Sequence, residues 1–333
     1  MEVTRNEEGV FVRAPAKLNL FLDVGAPGSD GYHPIDSIFQ AISLFDELEF
    51  VGVRSGGIEL QEEGMDAGEE NIVYRAAIRL REEVGGSFPS GVRISLRKSI
   101  PCAAGLGGGS SDAAATLLAL RELWDLPVDS GRLLKIGEEL GADVPFFFSG
   151  GTARCQGKGE IVTPLEGAPR GGELHYVLVC PPVAASTRKV YEAFDAAPTM
   201  SDMDLTLQSP IDSIPPSSIV EGLLNGELLF NRLEAVACEL FTELVEIRDL
   251  LDAEGFRGSM MSGSGSTFFE FIMDGNPLVL GGALLAGILL IGGTLRLRDR
   301  EEQFVEEEFT DVLPRDPVAA WLPPLELNDH ETI

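Results

Sequence analysis

The stretch of the sequence best suited to chemistry is PCAAGLGGGSSD, at residues 101–112. Glycines let backbone N–H groups come close to a phosphate, and the start of a following helix adds roughly half a positive charge. The alanine-rich segment 113–120 favours such a helix, and the hydroxyls of Ser110 and Ser111 suit a phosphate or Mg²⁺. This pattern predicts a phosphate-binding loop; the alternative is a glycine-rich turn without a ligand.

Two further segments carry residue types that could handle a phosphorylated substrate. A second loop, MSGSGST at residues 261–267, again combines glycines with hydroxyls, although alone it would indicate a flexible turn. Asp143 lies just before Pro145, a residue common in the first turn of a helix, whose dipole would favour an ionised carboxylate. Such a carboxylate can accept or orient a hydroxyl proton, and a simple helix cap is the alternative.

The elements that position these residues begin with a strand near the N-terminus. Period-two spacing places two sets of side chains on opposite faces: Lys17, Asn19 and Phe21 on one, and Leu18, Leu20 and Leu22 on the other. A buried strand that presents a lysine and an asparagine on one face predicts the floor of a ligand site.

The rest of the chain mixes helical and strand patterns without a regular βαβ rhythm, which predicts the α+β class. Apolar spacing predicts helices over 71–84, about 111–124, about 131–140 and 235–251, and strands over 92–96 and 175–180. Residues 54–70 are expected to form a surface connection, and residues 196–218 a mobile insertion.

Charge and composition exclude several classes of protein. The 54 acidic residues outnumber the 25 basic ones, so the net charge is −29, and such a surface repels nucleic acid and anionic membranes. An anionic ligand would therefore need a locally positive site. Four scattered cysteines and three histidines do not form the patterns of a zinc or disulfide framework. The first residues lack the features of a signal peptide, so a cytoplasmic location is expected.

Five motifs follow one another in the order typical of the GHMP small-molecule kinases, which the chain closely resembles from about residue 11 to about residue 273. They are PAKLNL at 15–20, DGYH at 30–33, the glycine-rich run at 101–112, GADVP at 141–145 and the loop at 261–267.

This resemblance implies a two-lobed α+β fold in which ATP and substrate meet between the lobes. The lobes would span 1–168, binding ATP, and 169–295, with an acidic, loosely ordered tail at 296–333. The resemblance also implies phosphoryl transfer from ATP, with Mg²⁺, to a hydroxyl of a cytidine-diphosphate-linked polyol in isoprenoid precursor synthesis. The alternatives are a homoserine- or mevalonate-type kinase, and a non-catalytic ligand sensor built on the same fold.

The resemblance also assigns roles to individual residues. Lys17 and Asp143 would be the catalytic pair, with Asp143 accepting the hydroxyl proton and Lys17 orienting it and stabilising charge. The residues that would bind ATP are Pro101, Cys102, Ala103, Ala104, Gly105, Leu106, Gly107, Gly108, Gly109, Ser110 and Ser111. The residues that would bind the substrate are Asn19, Tyr32, His33, Thr187 and Tyr191, of which Tyr32 and Tyr191 could stack on a base; a core position is the alternative for Tyr191. The metal ligands are left unassigned.

The segment 277–295 departs from the family pattern because its 19 residues carry no charge. That length could span a bilayer, but five glycines dilute its hydrophobicity, and the arginines that follow would lie on the wrong side of the membrane. A buried helix to about residue 293, followed by a short strand from 295, is therefore favoured over a membrane anchor.

Overall fold

The computed structural model describes residues 1–85, 90–165, 173–197, 209–253, 255–256, 258–272 and 289–296. The strands are β1 (Glu2–Arg5), β2 (Val10–Val24), β3 (Ile35–Val53), β4 (Ile58–Glu62), β5 (Met65–Asp66), β6 (Gly91–Arg97), β7 (Thr152–Gly157), β8 (Ile161–Pro164), β9 (Glu173–Cys180), β10 (Phe230–Asn231), β11 (Met260–Met261), β12 (Phe268–Ile272) and β13 (Leu289–Arg296). The helices are α1 (Ile72–Glu83), α2 (Gly108–Leu123), α3 (Ser130–Leu140), α4 (Phe146–Ser149), α5 (Thr187–Ala196), α6 (Pro216–Leu224), α7 (Glu234–Leu240) and α8 (Thr242–Ala253), with a 3-10 helix at Pro210–Ser213. The predicted α+β class is confirmed.

The larger sheet is built around the long antiparallel pair β2–β3 and runs in the order β1-β2-β3-β6-β4-β5. β7 pairs with the first part of β3, and β10 joins the last part of β2 in parallel. The β2–β3 register shifts between Asn19 and Phe21. Alternation therefore breaks there: Lys17 and Asn19 face the site as predicted, but Leu22 lies on that side instead of Phe21, which packs in a hydrophobic cluster. The placement of Phe21 from strict alternation was wrong.

Helices α1 and α2 pack against this sheet, and α3 packs against both of these helices. The three alanines at the start of α2, residues 113–115, are fully buried, and their small side chains let the helix lie close to β2. The side chains of Asn71 and Asp129 cap α1 and α3 by accepting hydrogen bonds from backbone N–H groups of the first turn. The predicted bounds of these two helices are confirmed within one residue. α2 begins at Gly108, three residues earlier than predicted, inside the glycine run.

The smaller sheet, in the order β11-β12-β9-β13, is antiparallel throughout. Valines of β9 pack with apolar residues of α5, α7 and α8 in a second hydrophobic cluster. Apolar spacing predicts one helix over 235–251, but Phe241 adopts an extended backbone that separates α7 from α8. No cap or glycine marks that break in the sequence.

Two segments contain more regular structure than predicted. The expected surface connection at 54–70 includes β4, whose central residue Leu60 is buried beside β6, and the short β5. The expected insertion at 196–218 includes the 3-10 helix and the first turn of α6, anchored by the buried Ile211; its residues 198–208 lie outside the described residues.

The C-terminal apolar segment also differs from the prediction. Residues 289–296 form β13, paired with β9 along its whole length, so the helix predicted to continue to about residue 293 is wrong over that range. Ile291 and Thr294 are β-branched, and Gly292 and Gly293 are poor helix formers, which together favour a strand. Residues 273–288 and 297–333 lie outside the described residues. Within the described part of the chain, every helix is too short or too polar to cross a bilayer. The division into lobes at residue 168 stays a prediction.

Candidate active site

The predicted phosphate loop connects β6 to α2 and lies along one wall of a cavity of about 880 Å³. Ala103, Gly105 and Gly107 all have positive φ angles, which turn the backbone sharply before the helix begins. Gly107 immediately precedes α2, so the unpaired N–H groups of the first helical turn are at the cavity wall. This geometry is that of an anion-binding loop at a helix N-terminus.

Lys17 lies at the floor of the same cavity, with only 4% of its surface exposed. Its backbone N–H donates to the carbonyl of Leu106 at 2.9 Å, which fixes β2 against the phosphate loop. Its Nζ donates to Asn19 Oδ1 and lies 3.5 Å from Asp143 Oδ2. A buried ammonium thus faces a partly exposed carboxylate inside the cavity.

Asp143 belongs to the turn between α3 and α4, two residues before Pro145, which caps the short α4. The turn is closed by a hydrogen bond from the N–H of Val144 to the carbonyl of Gly141. Phe146 and Phe147 are buried and anchor α4 in the core. The carboxylate is therefore presented to the cavity by a rigid turn.

The second glycine loop, residues 261–267, packs directly against the phosphate loop. Ser262 Oγ donates to the carbonyl of Gly105 at 3.0 Å and accepts from the N–H of Asn19 at 3.1 Å. A Cβ at Gly105 would come within 2.1 Å of the Ser262 carbonyl oxygen, so only glycine allows the two loops to approach this closely. Ser264 and Gly263 line the cavity beside Lys17.

The far end of the cavity is formed by aromatic and polar side chains. The ring of His33 lies 5.0 Å from that of Tyr191, and its Nδ1 is 2.8 Å from the carbonyl of Gly25. Burial, followed by the negative charge of Asp143, raises the pKa of Tyr191 to about 12, so this phenol stays neutral at physiological pH. Thr187 Oγ1 is 2.9 Å from Ser264 Oγ, which connects this end to the second glycine loop.

The structure brings nearly all the predicted site residues to one cavity. Its lining includes Lys17, Asn19, Tyr32, His33, Pro101, Cys102, Ala103, Ala104, Gly105, Leu106, Gly107, Gly108, Gly109, Ser110, Asp143, Thr187 and Tyr191. Ser111 is the exception: it is fully buried in the first turn of α2, and its hydroxyl has no hydrogen-bond partner within the described residues.

Sequence reasoning missed two lysines that line the cavity. Lys158 lies in the turn between β7 and β8, 3.9 Å above the ring of Tyr32 and 2.9 Å from Asp30. Lys98, just before the phosphate loop, pairs with Asp46 and Asp112. The position of Lys98 beside the glycine run was a usable signal, whereas nothing in the local sequence marks Lys158.

Three of the five lysines in the chain, residues 17, 98 and 158, line the cavity. Among the described residues, the lining has these and Arg188 as cations, against the carboxylates of Asp143, Glu192 and Asp195. A chain with a net charge of −29 therefore concentrates three of its five lysines at this cavity, where Lys98 and Lys158 are also paired with aspartates.

Asp112 provides a pH-dependent prediction. Burial, opposed by the charge of Lys98, raises its pKa to about 7 from 3.8. Between these two values the folded chain retains a proton that the unfolded chain releases, so this group's contribution to the free energy of unfolding falls as pH rises toward 7. Relative to Asp112→Asn, the unmodified chain should lose up to about 1.4 kcal/mol of stability per pH unit over this range. Urea denaturation of both proteins at pH 5 and pH 8 measures this loss of stability. A stability difference between the two proteins that is the same at both pH values would contradict the prediction.

Comparisons with known proteins agree with this geometry. The family model described as GHMP kinases N terminal domain matches residues 71–151, which include the phosphate loop and Asp143. The 4-diphosphocytidyl-2-C-methyl-D-erythritol kinase of Pelotomaculum thermopropionicum is 42% identical over 263 residues, covering 78% of this chain and 88% of that protein. The chain belongs to the 4-diphosphocytidyl-2-C-methyl-D-erythritol kinase family.

Other members of this family are similarly close. The kinase of Moorella thermoacetica is 43% identical over 266 residues, covering 79% of this chain and 90% of that protein. A crystal structure of 4-(cytidine 5'-diphospho)-2C-methyl-D-erythritol kinase, 39% identical, superposes with a TM-score of 0.68 and covers 85% of this chain and 98% of its own. Mevalonate pyrophosphate decarboxylase from Streptococcus pyogenes, 16% identical with a TM-score of 0.65, covering 89% of this chain and 100% of its own, shares the fold alone. As a member of this family the chain is an enzyme, a GHMP kinase that uses ATP and a small-molecule substrate.

Proposed function

We propose that the enzyme transfers the γ-phosphoryl group of ATP to the 2-hydroxyl of 4-diphosphocytidyl-2-C-methyl-D-erythritol, in isoprenoid precursor synthesis. The observation that carries this proposal is the pairing of Lys17 Nζ with Asp143 Oδ2, 3.5 Å apart, in the cavity that the phosphate loop also lines. The relatives that are 42–43% identical have this activity in their names. Phosphoryl transfer depends on positioning and charge stabilisation, which this arrangement supplies.

The catalytic step is divided between two side chains. Asp143 accepts the proton of the attacking hydroxyl, because its carboxylate is partly exposed in the cavity and is held by a rigid turn. Lys17 holds that carboxylate in place and stabilises the charge that develops on the transferred phosphoryl group. The backbone N–H groups at the start of α2 bind the other phosphate oxygens of ATP.

The residues around the phosphate loop fit a Mg²⁺ ion that arrives with ATP. Magnesium in kinase sites is held mainly by phosphates and waters with one or two protein oxygens, so a dedicated cage is not needed. Ser110 and Asp143 both line the cavity beside the phosphate loop, and a hydroxyl and a carboxylate are ligands that suit Mg²⁺. These two side chains are the ones that would hold the ion. When bound, Mg²⁺ neutralises phosphate charge.

The cytidine end of the substrate is assigned to the aromatic end of the cavity. Tyr32 and Tyr191 offer ring faces for the base, the ring of His33 lies beside that of Tyr191, and Asn19 and Thr187 offer hydrogen bonds toward the polyol. The support for this assignment is that the ring of Tyr32 lines the cavity and is 60% exposed, with Lys158 Nζ 3.9 Å from its centroid.

Replacing Tyr32 with alanine should therefore raise the KM for the cytidine-containing substrate by about tenfold, the effect of losing one base–aromatic stack. The melting temperature should hardly change, because the ring is mostly exposed and contributes little to the core. Steady-state kinetics with either substrate varied would measure both KM values. Met65→Ala, at a side chain 71% exposed outside the cavity, is the matched control. An unchanged KM for the cytidine-containing substrate would refute the stacking role.

The reaction itself is tested by an assay coupled to ADP release, with this substrate, homoserine and mevalonate offered separately. We expect turnover with the cytidine-containing substrate alone, and ³¹P NMR of the product should locate the new phosphate on the 2-hydroxyl. Turnover with homoserine or mevalonate instead would overturn the substrate assignment while leaving the kinase class intact.

A further inference from the structure

Asn231 does not line the cavity, but its side chain holds the second glycine loop from behind. Its Nδ2 donates to two carbonyl oxygens of that loop, of Met261 at 2.7 Å and of Gly263 at 2.8 Å. Its Oδ1 accepts from the N–H of Leu233 at 2.9 Å. The side chain is only 9% exposed, and this orientation of the amide is fixed, because a flipped oxygen would face two carbonyl oxygens.

Asn231 itself is held firmly in place. It lies in β10, which pairs in parallel with the last part of β2, and the N–H of the next residue, Arg232, donates to the carbonyl of Leu22 at 2.9 Å. The buried Glu234 adds a second contact to the loop, since its Oε2 accepts from the N–H of Met261 at 3.0 Å. Residues 231–234 therefore form a fixed support for the loop.

The second glycine loop connects Asn231 to the catalytic groups through hydrogen bonds. Through Ser262 it hydrogen-bonds both the phosphate loop, at Gly105, and β2, at Asn19, the residue that accepts from Lys17 Nζ. A displaced carbonyl at Gly263 would therefore move groups on both sides of the transferred phosphoryl group.

We propose that Asn231 is a positioning residue for phosphoryl transfer, acting through the second glycine loop to align Lys17 with the phosphate loop. This inference rests on the proposed function for its reaction. It concerns alignment and not ligand contact, so it predicts a loss in kcat that exceeds any change in KM, because a misplacement of about 1 Å can cost about 10²-fold in rate.

The variant Asn231→Asp tests this proposal because it keeps the volume and the acceptor to Leu233 but removes both donors to the loop. We expect kcat to fall at least tenfold, with the KM values for ATP and the alcohol substrate within about threefold of those of the unmodified enzyme. Asn231→Ala, which adds no charge, is measured in parallel, so that a variant is still available if Asn231→Asp does not fold. Circular dichroism and thermal melting establish folding at the assay temperature.

Asn225→Asp is the matched control, since Asn225 is exposed and only closes a local turn by accepting from Glu227; its kinetics should match those of the unmodified enzyme. ADP release by the unmodified enzyme tests the proposed function, whereas only the ratio of variant to unmodified kcat concerns Asn231. A folded variant with kcat within twofold of normal would overturn the proposal.

A double-mutant cycle distinguishes positioning from a general loss of stability. Ser262→Ala breaks the next contact in the chain, so if Asn231 acts through the loop, the kcat losses of the single variants should not multiply in the double variant. Losses that multiply fully would mean that Asn231 acts by another route, and would contradict the proposal.

Discussion

Replacing Asp143 with asparagine is expected to lower kcat by about 10²–10⁴-fold, the usual contribution of a general base. Asparagine has nearly the same shape and keeps one acceptor toward Lys17, but it cannot take a proton from the attacking hydroxyl. The affinity for ATP should stay within a few-fold, because the phosphate loop and α2 are untouched. Single-turnover kinetics and calorimetric titration with a non-hydrolysable ATP analogue measure the two effects separately.

Asp129→Asn is a suitable control for this experiment. Asp129 caps α3 outside the cavity, and asparagine caps helices as well as aspartate does, so neither activity nor stability should change. If turnover survives in Asp143→Asn, then Asp143 only shapes its turn, and the base must be sought elsewhere.

Gly105→Ala should produce the second large effect, a rise of at least tenfold in the KM for ATP together with a loss of stability. Gly105 has a φ of +76°, and an added Cβ would lie 2.1 Å from the carbonyl oxygen of Ser262. The Ser262 oxygen is a backbone atom, which cannot turn aside as a flexible side chain could, so the two glycine loops would have to separate. Thermal melting and steady-state kinetics with ATP varied are the measurements.

Gly64→Ala separates the steric effect from the cost of the backbone conformation. Gly64 has a similar φ of +83°, but nothing lies within 4 Å of an added Cβ. That variant should lose only about 1–2 kcal/mol of stability, which is the cost of a non-glycine residue in the left-handed conformation. Its KM for ATP should equal that of the unmodified enzyme. Equal effects at the two positions would mean that the loop contact does not matter for nucleotide binding.

The sequence was most informative where function is carried by local pattern. Alternation around Lys17, the glycine run and apolar spacing over 71–84 and about 131–140 predicted the floor of the site, its phosphate loop and the bounds of two helices. In each case the residues that form the pattern lie within a few residues of the element that the pattern predicts. The other residues of the candidate site were predicted from the order of the motifs along the chain, which is typical of the GHMP kinases.

The features that could not be predicted depend on contacts between distant segments. Lys98 pairs with Asp46, which lies 52 residues earlier in the chain, and Asn231 hydrogen-bonds to a loop 30 residues later. The register shift after Asn19 and the break at Phe241 likewise follow from packing, because no proline or glycine lies at either position to indicate it in the sequence. The sequence predicts a helix to about residue 293, over the first part of β13, because a short apolar run has no periodicity that distinguishes a helix from a strand.

The placement of the lysines has a practical consequence for anyone handling this enzyme. Primary amines are the groups that most coupling reagents, fluorescent labels and surface-immobilisation chemistries attack, and half of those in this chain, counting the N-terminus, border the nucleotide cavity. Only Lys135 and Lys189 offer exposed side-chain amines elsewhere. Of the three cavity amines only that of Lys158 is well exposed, so acylation would modify the cavity chiefly there, whereas the abundant carboxylates provide attachment points away from it. Conversely, an electrophile carried on an ATP-like scaffold would meet few competing amines.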